Sequence, residues 1–470
     1  MIRLHDTALG SELEIDLRDP ARLAMYVCGP TVYDHPHVGH GRHALVYDVL
    51  RRYLEWCGVE VRHVSNITDI DDKIIARAAR DGRGVDEVAA EFEEAWYAAL
   101  EGLNVLRPHD DPHATAYVDD MVALVARLVD TGHAYATDEG VWLATDTVAG
   151  YGLLARQRLD SLRSGARVGV VASKRSPLDF ALWKSVRPEE PSWPSPWGPG
   201  RPGWHTECVV MSLDLLGEDF DLHAGGADLA FPHHENERAQ AVALERTFAR
   251  RWMHHAFVEV GGEKMSKSLG NFTTLTDLLA ANDPRAYRLL VLQSQYRKPM
   301  EVTVATLDAA TRALAALDDF ARRTADLPPV PPDSAAIAAF RTRMDDDLDT
   351  PGVVAELADL RRTANAMLDG HDAQGAAPLA AAVTEITGAL GLELRRGAMT
   401  ISGGTAPSLT ATHPGTVPIE ALPPEVTARL VERDEARSRK DFAAADMIRA
   451  SLETDGWVVE DTSGGTRVHR

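Results

Sequence analysis

Apolar and polar positions divide the chain into segments of two kinds. Residues 23–28 are continuously apolar and stop at Gly29-Pro30, which predicts a buried strand followed by a break. Residues 44–56 carry apolar side chains at helical spacing, and residues 59–67 are rich in β-branched side chains. The pattern therefore predicts a right-handed strand–helix–strand unit that opens a parallel sheet.

The sheet pattern is interrupted and then resumes. Residues 117–202 are irregular and rich in Pro, Gly and Trp, which predicts an insertion. A strand is predicted at 220–224 and ends in Gly225-Gly226, a helix is predicted at 232–248, and residues 257–260 lead towards the segment at 264–268. Both halves are expected to share one sheet.

Beyond Pro284 the chain changes to long helical patterns. These run through residue 317 and then cover 335–344 and 351–368, which predicts a helical bundle. Residues 397–424 are rich in Gly, Ser, Thr and Pro and are typical of a linker. Residues 425–470 predict a small α+β unit, with a helix and a hairpin of residues 457–460 and 466–469.

Composition narrows the class of protein. The chain has 470 residues, which is enough for several domains, and a formal net charge of -22 argues against sequence-independent binding to nucleic acid. Three cysteines, no apolar stretch of membrane-spanning length and no leader pattern at the start predict a soluble protein of the reducing cytoplasm. A local basic surface stays compatible with this charge.

The loop after the first predicted strand carries His37-Val38-Gly39-His40. At the start of a helix, backbone N–H groups and the helix dipole favour phosphate, and imidazoles can donate hydrogen bonds to oxygens that gain charge. Histidine pairs in turns are also common without any catalytic role. The motif alone leaves both interpretations open.

A second motif, Lys264-Met265-Ser266-Lys267-Ser268, lies more than two hundred residues later between glycines. Its lysines and serines suit phosphate, but the spacing is not that of a P-loop. A solvated lysine loop is the alternative. Taken together, the two motifs predict a nucleotide site divided between distant loops that a sheet brings together.

Potential metal ligands occur at three places, Cys28, Cys208, and His233 with Glu237. His233 and Glu237 are four residues apart and share a helix face, and cysteine, histidine and glutamate all bind zinc. Buried cysteines are usually inert and a His–Glu pair is often a surface pair, so the spacing alone is a weak signal. Cys57 has no companion ligand and is assigned to the core.

Longer sequence motifs indicate the family that the chain resembles. The chain resembles the bacterial cysteinyl-tRNA synthetases, which are class I aminoacyl-tRNA synthetases, over nearly all its length. The strings that carry the resemblance are residues 26–34 (YVCGPTVYD) running into His37–His40, 66–73 (NITDIDDK), 203–208 (GWHTEC), 231–237 (FPHHENE) and the Lys264–Ser268 loop. The one departure is Val38, where the class signature has isoleucine.

The resemblance implies an α/β fold with a Rossmann-like parallel-sheet catalytic domain, an insertion, an α-helical bundle and a small C-terminal α+β unit. The implied segments are the first half of the catalytic domain at 1–116, a connective insertion at 117–202, the second half at 203–260, a KMSKS loop and stem-contact region at 261–310, the bundle at 311–396, the linker at 397–424 and an anticodon-binding unit at 425–470.

The implied activity is ATP-dependent activation of L-cysteine to cysteinyl adenylate, with release of pyrophosphate, followed by transfer to the terminal adenosine of tRNA(Cys). One zinc ion would be held by Cys28, Cys208, His233 and Glu237, would bind the substrate thiolate and would exclude serine. ATP would enter with Mg²⁺. The implied state is a monomer, without a membrane partner.

The resemblance also implies roles for individual residues. His37, His40, Lys264 and Lys267 would be catalytic. The residues that would bind ATP or cysteine are Gly29, Thr31, Gly39, Thr68, Trp204, Gly225, Gly226, Asp228, Ser266 and Ser268.

Transfer RNA requires basic surface on an acidic chain. Residues 151–175 hold Arg156, Arg158, Arg163, Arg167, Lys174 and Arg175 against a single Asp160, and the tail holds Arg433, Arg437, Arg439, Lys440 and Trp457. We interpret both as candidate RNA contacts. The acidic run Asp345-Asp346-Asp347 would repel phosphate, and we assign it to helix starts and solubility.

Two alternatives stay open. A related ligase passes cysteine to an amino sugar and resembles the synthetases without the anticodon unit, whereas this chain continues to its C-terminal tail. A non-enzymatic RNA-binding protein with a closed structural zinc would leave His37, His40 and Lys267 without roles.

Overall fold

The described part of the computed structural model covers most of the first 400 residues and a few segments beyond them. It comprises residues 2–155, 173–186, 190–260, 263–264, 274–396, 426, 429–430, 432–433, 436, 447–448, 451–452, 458–462 and 465–469. Met1–Thr400 form one unit and Ile401–Arg470 form a second. The predicted linker at 397–424 lies outside the described residues.

Fifteen strands and twelve α-helices occur in these described ranges. The strands are β1 (Arg3–Asp6), β2 (Ser11–Glu14), β3 (Arg22–Val27), β4 (Glu60–Val64), β5 (Ala134–Thr137), β6 (Gly140–Leu143), β7 (Phe180–Ser185), β8 (Gly200–Pro202), β9 (Leu222–Gly226), β10 (Arg251–His255), β11 (Val258–Val260), β12 (Glu263–Lys264), β13 (Met300–Glu301), β14 (Val458–Thr462) and β15 (Gly465–His469). The helices are α1 (Val38–Trp56), α2 (Asp72–Asp81), α3 (Val85–Gly102), α4 (Val118–Asp130), α5 (Trp204–Leu215), α6 (Glu235–Ala243), α7 (Leu275–Ala281), α8 (Pro284–Leu292), α9 (Val304–Arg323), α10 (Ser334–Asp345), α11 (Thr350–Asp369) and α12 (Ala373–Ala389).

A parallel four-stranded sheet is the centre of the first unit, in the order β10-β9-β3-β4. The chain passes from β3 through α1 to β4 on one side and returns much later to β9 and β10 on the other. Both halves therefore share one sheet, and the Rossmann-like α/β prediction is confirmed. In such sheets, ligands bind beyond the carboxyl ends of the strands where the order reverses, which here is between β3 and β9.

Side chains of β3 alternate between two hydrophobic clusters. Leu23, Met25 and Val27 join the cluster that contains α1 and the C-terminal helices, whereas Tyr26 and Cys28 join the cluster that contains α5. The period of two along a strand produces this division, and burial on both faces explains why the segment is apolar throughout. Cys28 consequently lies on the α5 side of the sheet.

The region predicted as an insertion contains an antiparallel sheet, in the order β5-β6-β7-β8. Its regularity was not apparent from the sequence because the strands are short and separated by Pro- and Gly-rich stretches. Of its predicted basic surface, Lys174 lies over the ring of Trp142 at 4.8 Å and Arg175 over that of Tyr135 at 4.0 Å. Arg156, Arg158, Arg163 and Arg167 lie outside the described residues.

The predicted helical region is confirmed by α8–α11, and α12 adds a helix that the sequence pattern did not reveal. Its apolar faces belong to the same hydrophobic cluster as α1 and one face of the parallel sheet. A continuous core couples these helices mechanically to the sheet, since close-packed interiors transmit small displacements.

The interpretation of Asp345-Asp346-Asp347 as helix starts and solubility is wrong. The run lies at the end of α10, with Asp346 as its C-cap. The Tyr53 hydroxyl donates to the Asp345 carboxylate at 2.7 Å, and Asp347 is only 5% exposed. A charge run usually marks a solvated face, but here only Asp346 is exposed, and polar donors from distant segments reach Asp345 and Asp347.

In the second unit, β14 and β15 pair antiparallel, which confirms the predicted hairpin. Arg433 is 2% exposed, so its guanidinium is not available as the RNA contact that we inferred from its charge. Arg437, Arg439, Lys440 and Trp457 lie outside the described residues. Among the described helices of the chain, none is long and apolar enough to cross a membrane.

Gly203 joins the antiparallel sheet to α5, and a β-carbon there would lie 1.9 Å from the Ala181 carbonyl oxygen. We expect Gly203→Ala to lower the free energy of unfolding by about 1–3 kcal/mol through overpacking. Urea unfolding followed by circular dichroism measures this.

Gly388 provides the matched control. It lies within α12, and a β-carbon there would meet nothing within 4 Å. Gly388→Ala should leave stability unchanged or raise it by up to about 1 kcal/mol, since alanine is the better helix former. Equal stability of the two variants would contradict the close contact at Gly203.

Candidate active site and metal centre

The four predicted metal ligands meet at the reversal point of the sheet. Cys28 directly follows β3, Cys208 lies on α5, His233 on the π-helical turn Ala230–His234, and Glu237 on α6. All four side chains are buried, with exposures of 4% or less. Residues distant in sequence therefore place two thiols, an imidazole and a carboxylate within 4.8 Å of one another.

Three of the separations between these atoms match the edges of a tetrahedral zinc site. Bond lengths of about 2.3 Å to sulfur and 2.0–2.2 Å to nitrogen or oxygen give tetrahedral edges of about 3.8 Å between sulfurs and about 3.6 Å from sulfur to nitrogen or oxygen. The structure has 3.7 Å between the Sγ atoms of Cys28 and Cys208, 3.6 Å from Cys208 Sγ to His233 Nε2 and 3.6 Å from Cys28 Sγ to Glu237 Oε1. The edge from His233 Nε2 to Glu237 Oε1 is 3.0 Å, shorter because the two groups attract as an ion pair.

Three further histidines contact the ligands from outside. The distances are 3.2 Å from His234 Nε2 to Cys28 Sγ, 2.6 Å from His223 Nε2 to Glu237 Oε2 and 2.9 Å between the Nδ1 atoms of His205 and His233. His223 and His234 also form an alternative donor set with Cys28 and Glu237. We keep the set with Cys208 and His233, because it supplies two thiols and a 3.6 Å separation between Cys208 Sγ and His233 Nε2, and assign the three outer histidines to orienting the ligands.

Protonation follows from burial and mutual contact. Burial raises the pKa of the Cys28 thiol. Burial alone would raise the pKa of Cys208 too, but hydrogen bonds with Cys28 and His233 outweigh it and lower the pKa to about 6. Burial likewise opposes ionisation of Glu237, yet His223 and His233 lower its pKa to about 2. Two of the four donors are thus held in their metal-binding forms.

His233 behaves in the opposite sense. Burial lowers its pKa, but the adjacent Glu237 and Cys208 raise it to about 10. The imidazole must lose this proton before it can bind a metal ion. Metal binding is therefore expected to release two protons, one from the Cys28 thiol, whose pKa is raised, and one from the His233 imidazole.

An open cleft of about 1140 Å³, a volume that includes part of the open solvent, lies beside these ligands and is large enough for a small-molecule site of about 300–1,000 Å³. Cys28 reaches its wall, so the donor set and the cleft are contiguous. The predicted site residues that line it are Gly29, Thr31, His37, Gly39, His40, Trp204, Gly226 and Asp228. Thr68 and Gly225 are not among the lining residues.

His37 and His40 cap α1 reciprocally. The His40 N–H donates to His37 Nδ1 at 3.3 Å, and the His37 N–H donates to His40 Nδ1 at 3.2 Å. The rings stack with centroids 3.7 Å apart. Each Nδ1 accepts a hydrogen bond from a backbone N–H group. The proton of each neutral imidazole is therefore on Nε2, from which it can be donated to a ligand. The same pair therefore starts the helix and supplies donors beside its N-terminus.

Close packing explains the glycine after Cys28. A β-carbon on Gly29 would lie 1.7 Å from the Asn66 carbonyl oxygen, and the Gly29 N–H donates to Asn66 Oδ1 at 2.9 Å. Asn66 also donates to Thr68 Oγ1 at 3.2 Å, and Thr68 donates to Glu207 at 2.7 Å. Thr68 thus lies in a buried polar chain behind the cleft wall.

Trp204 and the Gly225-Gly226 pair border the ligands. The Trp204 ring stacks on His233 with centroids 4.0 Å apart, so one face of the cleft is continuous with a potential metal ligand. A β-carbon on Gly225 would lie 2.9 Å from Leu229 and 3.0 Å from His234, and one on Gly226 would lie 2.7 Å from Asp228. Small residues are required here because the backbone approaches side chains closely.

The second phosphate motif is only partly described. Lys264 is the last residue of β12 and pairs with Glu259 of β11. Ser266, Lys267 and Ser268 lie outside the described residues, so their predicted roles stay predictions.

The sequence interpretation missed several residues of the cleft. Lys73, which lies over the Tyr33 ring at 5.2 Å, lines it together with Trp96, His43 and Phe257. Lys73 belongs to the 66–73 string, so its charge next to a family motif was an available signal. Trp96 and Phe257 come from a helix and a loop with ordinary hydrophobic patterns, which give no signal of a site.

Comparison with known proteins extends these observations to a family. Residues 14–312 match the tRNA synthetases class I (C) catalytic domain, residues 339–395 the DALR domain, and residues 420–468 the cysteinyl-tRNA ligase anticodon binding domain. A cysteine–tRNA ligase of Thioalkalivibrio sulfidiphilus is 44% identical and one of Alkalilimnicola ehrlichii 42%, each match covering 100% of both chains.

Solved structures agree on the fold. A methionyl-tRNA synthetase of Mycobacterium tuberculosis in complex with methionyl-adenylate superposes with a TM-score of 0.60 at 16% identity, covering 78% of this chain and 89% of the other. A leucyl-tRNA synthetase complex of Agrobacterium radiobacter gives 0.60 at 10% identity, with 80% and 85% covered. Full-length identity above 40% to curated relatives goes further than the fold. The chain belongs to the cysteine–tRNA ligases, a family of class I aminoacyl-tRNA synthetases.

Proposed function

We propose that the protein joins L-cysteine to the 3′-terminal adenosine of tRNA(Cys) in two steps, with ATP and Mg²⁺ as the source of the adenylyl group. The observation that carries this proposal is the contact between a buried Cys–Cys–His–Glu donor set and a cleft lined by His37 and His40. The donor set suits a metal ion that binds a thiolate, and the cleft suits a triphosphate. We expect the protein to work as a monomer in the cytoplasm.

Selection of cysteine would depend on one zinc ion held by Cys28, Cys208, His233 and Glu237. When bound, zinc supplies a soft acceptor for the substrate thiolate and favours its deprotonation. Packing alone distinguishes serine from cysteine poorly, since similar shapes differ by only a few kcal/mol. Trp204, stacked on His233 and exposed to the cleft, is positioned to close the pocket over the cysteine side chain.

Activation requires the cysteine carboxylate to attack the α-phosphorus while pyrophosphate leaves. We assign the Nε2–H donors of His37 and His40 to the phosphate oxygens, beside the N-terminus of α1. Lys264 and Lys267 would neutralise the leaving pyrophosphate together with Ser266 and Ser268. Positioning and charge stabilisation account for such displacements without a covalent protein nucleophile.

Transfer then moves the cysteinyl group from AMP to the acceptor. The match of residues 420–468 to an anticodon-binding domain favours tRNA over an amino sugar. We assign adenosine contacts to Gly226 and Asp228, which line the cleft, and to Gly225 beside them. We assign Thr68 to the cysteine pocket, where it belongs to the polar chain of Asn66 and Glu207.

Replacement of a thiol ligand tests the metal centre. Cys208→Ser should lower zinc content and weaken cysteine binding by at least about tenfold, because alkoxide is a far poorer zinc ligand than thiolate. ATP binding should be nearly unchanged. Zinc content per chain and cysteine-dependent ATP–pyrophosphate exchange measure these effects.

Cys57→Ser is the matched control, since Cys57 is a free cysteine outside the donor set. It should retain full zinc content and exchange activity. X-ray absorption with and without cysteine completes the test, since a metal shell that gains no sulfur from the substrate would support a structural zinc instead.

The second phosphate motif is tested at Lys267. Lys267→Ala should slow formation of the adenylate by about 10²-fold or more in a single turnover, because one preorganised charge facing the leaving group is lost. The affinity for cysteine should change little. Rapid-quench measurement of adenylate gives the rate, and a wild-type rate would refute the assigned role.

Removal of the second unit tests the acceptor. A chain ending at Arg396 retains nearly all of the first unit, so it should keep cysteine-dependent pyrophosphate exchange while losing most of its tRNA charging. Both forms should be assayed with tRNA and with an amino-sugar acceptor. Undiminished charging by the shortened chain, or transfer to the sugar alone, would refute the tRNA assignment.

A further inference from the structure

The turn formed by residues 295–298 connects α8 to β13 and lies against the strand that leads to the second phosphate motif. The Ala256 N–H donates to the Tyr296 carbonyl at 2.8 Å, and the Met300 N–H donates to the Phe257 carbonyl at 3.0 Å. Immediately beyond, β13 pairs with β11, and β11 pairs with β12, which ends at Lys264. The position of this turn therefore sets the base of the small sheet that carries the motif.

Arg42 holds the turn from the side of α1. Its guanidinium donates to four backbone carbonyls, those of Phe257 at 2.6 Å, Gln295 at 3.3 Å, Tyr296 at 3.1 Å and Lys298 at 2.5 Å. The side chain is 1% exposed and forms no ion pair among the described residues. A guanidinium buried with carbonyls alone fixes several backbone atoms at once, because its donors form a rigid planar fork.

Asp347 holds the same turn from the opposite side, by binding the side chains of the turn residues. Its carboxylate accepts from the Tyr296 hydroxyl at 2.5 Å, from Arg297 Nε at 2.6 Å and from Gln295 Nε2 at 3.1 Å. It also accepts from the His5 backbone N–H at 2.9 Å. The φ angles of Asp347 and Leu348 are both +53°, so the carboxylate stands on a left-handed turn between α10 and α11.

These contacts connect the two phosphate motifs physically. Arg42 is two residues beyond His40 on the same helix. Phe257 and Val258, which adjoin the turn, line the cleft. One arginine thus ties the helix of the first motif to the sheet that carries the second, and Asp347 ties that assembly to the C-terminal helices.

We propose that Arg42 and Asp347 are positioning residues for the activation step, which together set β11 and β12, the strand that ends at Lys264, relative to His37 and His40. The inference rests on the proposed function, because it concerns the alignment of groups around ATP. Neither residue lines the cleft, so each acts through the turn at 295–298.

Three variants test the proposal. Arg42→Lys removes the planar fork and keeps the charge, and Asp347→Asn keeps a residue that tolerates the left-handed turn while removing the carboxylate. Arg288→Lys is the matched control. Arg288 is also 1% exposed and donates to the carbonyls of Leu103, Asn104 and Leu390, but it contacts neither the turn nor the cleft. It differs from Arg42 in also forming an ion pair with Asp48 at 2.8 Å, which a lysine can keep.

The measurements are KM for ATP and for cysteine in pyrophosphate exchange, the single-turnover rate of adenylate formation, and urea stability. Arg42→Lys and Asp347→Asn should slow adenylate formation or raise KM for ATP by about tenfold or more, with KM for cysteine within about twofold. Arg288→Lys should lose stability without either ATP effect. Zinc content should be unchanged in all three.

The outcomes distinguish failure of the positioning role from failure of the proposed function. If Arg42→Lys and Asp347→Asn lose only stability, as the control does, the positioning role is refuted while the proposed function stands. If one variant does not fold, the other decides, because both act on the same turn. A wild-type chain without cysteine-dependent exchange would overturn the proposed function and this inference with it.

Discussion

Burial of four ionisable ligands in one place is the constraint on which the site depends. Two thiols, an imidazole and a carboxylate are removed from water, a placement that is unfavourable unless each group is paired or bound to a metal. The histidines at 205, 223 and 234 meet this demand by contacting the ligands from outside. The ligands come from one strand, two helices and a turn. These elements must therefore position their ligand atoms around one point to within a fraction of an ångström.

Much of the fold could be predicted from local sequence pattern, because the spacing of apolar residues identifies the strands of the central sheet and most of the helices. The strand at 23–28 is present close to its predicted limits, whereas the helix predicted at 44–56 ends as expected but begins earlier, at Val38. The antiparallel sheet in 134–202 was missed because its strands are three to six residues long. Strands β3 and β4 are no longer, but continuous apolar or β-branched residues and clear breaks mark them, whereas the strands of this sheet lie among Pro- and Gly-rich stretches.

The metal ligands illustrate a different limit. Their spacing in the sequence was a weak signal, and only the longer family strings singled them out. Geometry then added what neither could supply, namely edges that fit a tetrahedron and a layer of histidines behind them. The acidic run at 345–347 misled for the reverse reason, since charge usually means exposure, whereas Asp347 is enclosed by donors from segments far away in sequence.

The alternation of side chains along β3 has a consequence for how this chain can vary in length. Tyr26 and Cys28 face one hydrophobic cluster, Met25 and Val27 face the other, and Gly29 fits against Asn66 just beyond. Inserting or deleting one residue within this strand would exchange the two faces, turn the thiol away from its partners and place a side chain where only glycine fits. The number of residues in this strand is therefore fixed by the chemistry at its end.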